Sequence, residues 1–295
     1  LIVVMEVADG MIEGITRRYL EVGTYHLQIA VPAGLPSEQM TAIQGALEGQ
    51  DFVRHVILER QGLGLLYTAA GRAAVTVRAV PPGLYAEDDG FRRYFALESG
   101  RFALEQSDSV LLGREVAQKL AAGVGDRVKL LSLLDTPRAI PVISAFTVRG
   151  IFSSGYQELD KLWVYIPLAA SERIASARGS SQFIGVKLDD PFEHLEAKIA
   201  RIQRLLPARF EVFSWYQLEK ANYKSFQTTK ALLLFIMALI VVVAAVNISS
   251  ALVMVIIEKT QEIGVLKCMG AGPADISLSF LVTGLVTGLA GALFG

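Results

Sequence analysis

The sequence predicts a membrane α-helical protein that also carries a large two-lobed α+β domain, inserted after a first membrane helix. Two apolar runs, 231–257 and 276–295, are long enough to cross a bilayer. The first run contains few polar side chains, namely Asn247, Ser249 and Ser250. Most charged residues lie between 24 and 227, where strand and helix patterns alternate, so this region is predicted to face water.

The composition supports the membrane assignment and disfavours other classes. The chain is 52% hydrophobic and 19% charged, and its mean hydropathy of +0.43 is too high for an ordinary soluble protein. A net charge of −1 disfavours a nucleic-acid partner, because phosphates are bound by clustered Lys and Arg. The single cysteine, Cys268, excludes an intrachain disulfide.

The first residues, Leu1 to Met5, lack the basic segment and cleavage site of a signal peptide. We assign residues 1–23 to the end of a first transmembrane helix and its stalk. The chain also stops inside an apolar run at Gly295. These observations predict a fragment of a longer protein, with further membrane segments at both ends.

The region 24–213 is predicted to form a domain with two lobes. One lobe is α+β, and a β-rich lobe at about 84–167 is inserted into it. Predicted helices are Ser37–Leu47, Arg114–Ala121 and an amphipathic helix that buries Phe192, Leu195, Ile199, Ile202 and Leu206. Predicted strands are Tyr25–Val31, Phe52–Glu59, Ala74–Val80, Val110–Leu112, Arg127–Leu131, Phe146–Phe152, Leu162–Ile166, Phe183–Leu188 and Phe210–Phe213.

Residues 214–257 are predicted to form a stalk and a transmembrane helix. A hydrocarbon core of about 30 Å needs roughly 20 helical residues, so a helix through 231–257 must tilt or extend beyond the bilayer. Asn247 lies near the middle of the span. An amide is costly in lipid without a partner, so Asn247 is expected to face another helix or a cavity.

The second predicted span, 276–295, has small residues at close helical spacing, including Gly284, Gly288 and Gly291. Small residues let helix backbones approach each other in lipid, so this stripe predicts a helix-packing face. The alternative is that these glycines only reflect the high glycine content of membrane helices.

The segment between the two spans, 258–275, predicts a short amphipathic helix. Ile263, Leu266 and Met269 share one apolar stripe, and its polar faces carry Glu258, Lys259, Glu262 and Lys267. The following Gly-Ala-Gly-Pro at 270–273 predicts the end of the helix. Periodicity leaves open whether this helix packs against lipid headgroups or docks a protein.

The segment VAAVNISSALVMVIIEKTQEIGVLKCMGAG (243–272) resembles FtsX-like permeases, and most of all the lipoprotein-releasing (Lol-type) ABC permeases. Ile257 stands where that family usually has Met. The residues that match the family motif are Glu258, Lys259, Glu262, Ile263, Leu266, Lys267, Gly270 and Ala271. Residues 110–128 and 150–166 are similar to parts of the family's extracytoplasmic domain, and 5–26 is similar to the stretch that leaves its first helix, so the resemblance covers nearly the whole chain.

The resemblance implies four membrane helices in a bacterial inner membrane, with a large periplasmic domain between the first two. It also implies a homodimer or heterodimer of permeases that binds two copies of a cytoplasmic ABC ATPase. Residues 258–271, with Met269 among them, become the coupling helix that presses into the ATPase, and Glu262 is its central charge. The charge distribution favours the opposite orientation, since Lys220, Lys224 and Lys230 precede the span. The positive-inside rule counts short loops and does not govern a large translocated domain, so we keep the orientation that the resemblance implies.

The sequence contains no nucleotide-binding P-loop and no pattern typical of a metal, cofactor or catalytic site. His26, His55 and His194 lie far apart along the chain, and His194 is expected on a solvated helix face. Glu158 and Asp160 are expected to be solvated in a turn. We therefore expect a non-catalytic subunit whose ATP is hydrolysed by a partner.

The leading hypothesis is a permease that extracts lipoproteins from the inner membrane by ATP-driven mechanotransmission. Its expected partners are the ATPase, a second permease, a lipoprotein, membrane lipid and a periplasmic carrier, without nucleic acid. Three alternatives remain: a MacB-like efflux permease, an FtsX-like regulator of a periplasmic hydrolase, and a membrane-anchored binding domain. The last leaves the 258–271 motif unexplained.

Overall fold

The computed structural model describes residues 6, 10, 14–32, 35–133, 141–175, 180–218, 220–270 and 272–294. The predicted start of the chain at 1–5 and Ala271 lie outside these described residues. Contacts divide the chain into two compact units. We call Ile2–Ser225 the N-terminal unit and Phe226–Gly295 the C-terminal unit.

The described part of the N-terminal unit is built on one ten-stranded sheet with the order β10-β1-β9-β2-β3-β8-β5-β7-β4, and β6 pairs with β2 and β7. Most neighbouring strands are antiparallel, but β3 pairs in parallel with β8, and β5 with β7. The strands are β1 Leu27–Ala30, β2 Val53–Tyr67, β3 Arg72–Val80, β4 Ala96–Gly100, β5 Ser109–Gly113, β6 Arg127–Leu133, β7 Pro141–Ser153, β8 Trp163–Pro167, β9 Ser181–Leu188 and β10 Val212–Ser214.

Helices and turns connect these strands. Residues 14–19 are helical and continue into a π-helical turn, Leu20–Thr24. The α-helices of this unit that the described residues contain are α1 Ser37–Glu48, α2 Leu84–Glu87, α3 Asp89–Tyr94, α4 Arg114–Leu120, α5 Gln157–Asp160, α6 Glu172–Ala175, α7 Leu195–Leu205 and α8 Trp215–Leu218.

The predicted strands and helices of the domain are confirmed, with differences at their ends. β2 continues beyond the predicted end at Glu59 to Tyr67, and α7 begins at Leu195. Phe192 therefore precedes the amphipathic helix, and its placement on the buried helix face was wrong, since it is 38% exposed. The strand β4 and the helices α2 and α3 were missed, because these elements are too short to show a hydrophobic period.

The strands of the two predicted lobes lie in one hydrogen-bonded sheet. β3, which precedes the predicted insertion, pairs with β8 inside it, and β2 pairs with β6. The boundary of the inserted lobe at about 84–167 stays a prediction, and so do the other domain boundaries.

The chain enters and leaves the sheet at the same place. β1 and β10 are antiparallel neighbours, with Leu27 opposite Ser214. Just outside this pair, the Trp215 N–H donates a hydrogen bond to the His26 carbonyl at 3.1 Å. The segments before β1 and after β10 therefore begin side by side.

The C-terminal unit and the segment leading to it contain three helices within the described residues: α9 Lys220–Glu258, α10 Thr260–Cys268 and α11 Pro273–Phe294. Gly270 ends α10 with a φ of 92°, a left-handed conformation that glycine adopts without strain. Pro273 opens α11, where its missing N–H costs no hydrogen bond. The predicted helical stop at 270–273 is thus confirmed.

One helix within the described residues is long and apolar enough to cross a membrane, Ala231–Glu258 with 28 residues. The described apolar part of α11, Pro273–Val286, is shorter. The α+β domain and one apolar helix are therefore present, and the predicted multi-span arrangement remains a proposal.

The two faces of α7 offer a test of the core. Ile202 is fully buried against the sheet, and Leu205 on the same helix is 42% exposed. We expect Ile202→Ala to lower the free energy of unfolding by about 2–5 kcal/mol, because it removes buried methyl groups and leaves a cavity. Leu205→Ala, the matched control, should cost less than about 1 kcal/mol.

Thermal unfolding in detergent, followed by tryptophan fluorescence, measures both variants. The chain has 2 tryptophans, and both of them, Trp163 and Trp215, are buried in the N-terminal unit, so the signal reports on this unit. Equal losses in the two variants would contradict the assigned helix face.

Candidate functional site: the coupling segment and the stalk junction

The predicted coupling segment forms the short helix α10 and its flanking turns. The charged side chains of Glu258, Lys259, Glu262 and Lys267 are exposed, and so is Gly270. Lys259 Nζ donates to Glu262 Oε1 at 2.6 Å, so these two charges pair at i, i+3 on one side of the helix. Met269, which caps the helix, is 80% exposed.

The structure brings most of the sequence-predicted residues together around one groove of about 940 Å³ in the C-terminal unit. α10 contributes Ile263 and Leu266, with Lys259 and Glu262 also in the lining. α9 and α11 contribute mainly apolar or small residues, among them Ile248, Leu252, Val255, Phe280, Gly284, Gly288 and Gly291.

The predicted helix-packing residues are open in the structure. A Cβ atom built at Gly284, Gly288 or Gly291 would meet nothing within 4 Å among the described residues. Asn247 is exposed on α9, next to the groove-lining Ile248. The packing role of these four residues stays a prediction.

A second cluster, which the sequence reasoning missed, fixes the segment that leads into the sheet. We call residues 14–25 the first stalk, and its contacts with the sheet the stalk junction. Lys187 on β9 is 0% exposed, and its Nζ donates to the Glu21 carbonyl at 2.6 Å and to Glu21 Oε2 at 2.9 Å. It also pairs with Asp88, while Arg54 Nη2 donates to Glu21 Oε1 at 2.6 Å.

The other buried ion pair of the junction lies on the neighbouring strands. Arg78 on β3 binds Glu59 on β2 through two hydrogen bonds, at 2.6 Å and 2.7 Å. Arg78 Nη1 also donates to the Val22 carbonyl at 3.0 Å, and Tyr25 donates its hydroxyl to Glu59 at 2.5 Å. Side chains of the sheet therefore bind both the backbone and the side chains of the π-helical turn and of the adjoining Tyr25.

Contacts around Arg18 hold the preceding helical residues. The guanidinium lies over the rings of Tyr94 and Tyr156, at 5.8 Å and 5.6 Å, and its Nε donates to the Ser154 carbonyl. Tyr156 in turn donates its hydroxyl to the Ile15 carbonyl at 2.7 Å. These contacts place the loop after β7 against the first stalk.

Asp160 shapes that loop, and its expected solvation was wrong. The carboxylate is buried and accepts hydrogen bonds from Ser153 Oγ at 2.8 Å and from the Ser154 N–H and Oγ at 2.7 Å. A turn carboxylate that accepts local hydrogen bonds can be buried without cost to its charge. Glu158, by contrast, is exposed beside Lys161, as expected.

Burial and the neighbouring charges shift the pKa values of Glu21 and His26 at the junction. Burial alone raises the pKa of Glu21, but the charges of Lys187 and Arg54 and their hydrogen bonds outweigh it and lower this pKa to about 2. Burial lowers the pKa of His26 to about 4, although Glu21 opposes this shift. The Leu188 N–H donates to His26 Nδ1 at 2.7 Å, so the neutral ring carries its proton on Nε2.

A signal for the junction was present in the sequence. Lys187 and Arg78 interrupt strands that are otherwise almost entirely apolar, and such residues are seldom fully buried unless they are paired. Glu21 and Asp88, the partners of Lys187, and Glu59, the partner of Arg78, are distant along the chain, so the pairing could not be deduced from spacing. Among the described residues, no group of three or more His, Cys, Asp or Glu could hold a metal ion.

Comparison with known proteins defines the class to which this arrangement belongs. The MacB-like periplasmic core domain family matches residues 1–205, and the FtsX-like permease C-terminal family matches residues 234–295. The first match spans more than half of the chain, which therefore belongs to the MacB-like periplasmic core domain family.

Within this family, the chain is similar to Lol-type permeases. It is 31% identical to the lipoprotein-releasing system transmembrane protein LolC of Xylella fastidiosa, over 63% of the chain and 46% of the relative. It is 29% identical to LolE of Haemophilus influenzae, over 68% of the chain and 49% of the relative. The chain thus spans about half the length of these curated relatives.

More distant likenesses include the macrolide export protein MacB of Bdellovibrio bacteriovorus, which is 25% identical over 66% of the chain and 32% of that protein. Among solved structures, the periplasmic region of MacB from Actinobacillus actinomycetemcomitans is 16% identical. It covers 70% of this chain and 95% of its own, with a TM-score of 0.43.

The buried His26 predicts an acid-sensitive domain. Below its ordinary pKa of 6.5 the unfolded chain binds a proton at His26, whereas the folded protein binds it only near pH 4. Stability therefore falls as the pH falls through this window, by about 2 kcal/mol between about pH 7 and pH 5. The low pKa of Glu21 adds a further loss between pH 4.5 and about 2.

His26→Asn keeps an acceptor for the Leu188 N–H but cannot titrate. Thermal unfolding in detergent, followed by tryptophan fluorescence between about pH 7 and pH 5, should show a flatter pH dependence for this variant. His194→Asn is the matched control, because His194 is exposed, and it should keep the wild-type slope. The same slope in His26→Asn and wild type would contradict the assignment.

Proposed function

We propose that this chain is part of a transmembrane permease subunit of an ABC complex that extracts lipoproteins from the bacterial inner membrane. The observation that carries the proposal is the combination of a MacB-like domain, an FtsX-like segment with the 258–270 motif, and similarity to LolC and LolE. The large domain then lies in the periplasm, and the coupling segment faces the cytoplasm.

In this proposal, α9 and α11 are membrane helices joined by α10 on the cytoplasmic side. The groove around Ile263 and Leu266 borders the surface that contacts a separate ABC ATPase, and Glu262 supplies a charge at that contact. Closure of the ATPase dimer pushes on α10, and the rigid helices carry the movement to the periplasmic domain. A second permease completes the complex, and the acylated lipoprotein is displaced toward a periplasmic carrier.

One alternative, a MacB-like efflux permease, is favoured by the name of the domain family and by the likeness to the Bdellovibrio protein. Purification of the full-length protein from native membranes separates the two functions. The Lol-type function predicts that a separate ATPase and acylated proteins co-purify. A fused ATPase without acylated proteins would support the efflux function instead.

Glu262→Lys tests the coupling contact. The variant reverses the charge that α10 presents to the ATPase, so lipoprotein release per complex should fall by about tenfold or more while insertion stays intact. The measurement is ATP-dependent release from proteoliposomes that contain the full-length protein and its ATPase. Wild-type release in the variant would remove the coupling role.

A charge swap distinguishes the ATPase contact from the internal ion pair. Lys259→Glu combined with Glu262→Lys restores the pairing between these positions but reverses both charges toward a partner. If Glu262 acts on the ATPase, the double variant stays defective. Recovery of release by the double variant would instead assign Glu262 a role within α10.

Gly284→Leu with Gly288→Leu tests the proposed packing face of α11. Two large side chains would fill the groove where a neighbouring membrane helix packs, so the yield of assembled complex should fall several-fold. Co-purification of the ATPase with the permease measures assembly. Val282→Leu is the matched control, because Val282 is exposed on the same helix and does not line the groove. Normal assembly of the double variant would show that Gly284 and Gly288 are not needed for helix packing.

A further inference from the structure

The backbone changes direction sharply where the first stalk meets the sheet. The π-helical turn Leu20–Thr24 ends at Tyr25, which has φ 65° and ψ 167°. This conformation is unfavourable for a residue with a side chain, and it persists only where the surroundings fix it. π-helical turns also occur often at functional positions. The junction therefore stores a local strain that its neighbours must hold.

Tyr25 is held on two sides. Its hydroxyl donates to the buried Glu59, and its ring packs on β9 where Gly185 leaves room. A Cβ atom at Gly185 would lie 2.5 Å from this ring, so only glycine fits there. The strained residue is thus fixed by contacts from β2 and β9.

The π-helical turn is held by three strands at once. Lys187 on β9 and Arg54 on β2 bind Glu21, and Arg78 on β3 binds the Val22 carbonyl. Apolar contacts are non-directional and allow small sliding movements. Buried ion pairs oppose such movements, because a displacement leaves a charge without its partner, which is strongly destabilising. These ion pairs therefore attach the π-helical turn rigidly to the sheet.

We propose that the stalk junction is the extracytoplasmic half of the coupling path, and that Lys187 and Tyr25 are its positioning residues. Movement of the first stalk then turns β2, β3 and β9 together as one body. This inference rests on the proposed ATP-driven function, and it adds the place where movement enters the domain. When the Lys187 charge is removed, ATP hydrolysis continues but less lipoprotein is released per ATP.

The test uses the full-length protein with its ATPase in proteoliposomes. Lys187→Met removes the charge but keeps the length of the side chain. We expect ATP hydrolysis within about twofold of wild type and a fall of about tenfold in lipoprotein released per ATP. Lys119→Met, on the exposed side of α4, is the matched control and should keep the wild-type ratio.

The ratio of release to hydrolysis separates coupling from mere stability. A stabilising role alone would lower the amount of assembled complex and leave the released lipoprotein per ATP unchanged, which would overturn the proposal. Tyr25→Phe removes only the hydroxyl bond to Glu59, so it decides the question if Lys187→Met does not assemble. Its ratio should fall by about threefold, and a wild-type ratio would contradict the inference.

A distance measurement tests rigidity without reference to cargo. Spin labels at Gly14→Cys on the stalk and Val124→Cys on the domain, with Cys268→Ser, should give one narrow distance with and without trapped nucleotide. Lys187→Met should broaden this distribution, and an equally narrow one would overturn the proposal. If wild-type protein releases no lipoprotein with ATP, the proposed function fails, and this distance result still stands by itself.

Discussion

Lys187 lies fully buried beside the carboxylates of Glu21 and Asp88, and the position of the first stalk depends on these ion pairs. An unpaired charge buried in this place would cost several kcal/mol, so displacement of either carboxylate is strongly destabilising. Glu21 comes from the stalk, Asp88 from the turn before α3, and Lys187 from β9. The ammonium group of Lys187 thus joins three parts of the chain that are distant in the sequence.

The strand order of the N-terminal unit places the first and last strands of its sheet side by side. β1 and β10 pair at the edge of the sheet, so the chain leaves where it entered. Beside this pair, Trp215 packs edge-on against Phe192, and Arg17 of the stalk lies over the same ring. The two ends of the domain therefore share contacts as well as a position.

Local patterns were enough to predict much of the fold. The Val- and Ile-rich runs in β2 and β3 and the helical period of α7 led to the correct elements, and the glycine at 270 predicted the end of α10. The buried ion pairs could not be predicted, because Glu59 and Arg78 meet only through strand register. Asp160 was misjudged for a related reason: its burial depends on serines in the preceding loop. The residues of the predicted coupling segment were selected by a motif, and four of them, Lys259, Glu262, Ile263 and Leu266, line the groove.

In the proposed mechanism, α10 on the cytoplasmic side of the membrane is coupled to a rigid domain in the periplasm, so the central claim is the side of the membrane on which α10 lies. Cys268, at the end of α10, is exposed. In full-length protein with Cys268 as the only cysteine, a membrane-impermeant maleimide should label it only after the inner membrane is permeabilised. Glu193→Cys in a Cys268→Ser background should be labelled from the periplasm without permeabilisation. Labelling of Cys268 in spheroplasts with intact inner membranes would contradict the account.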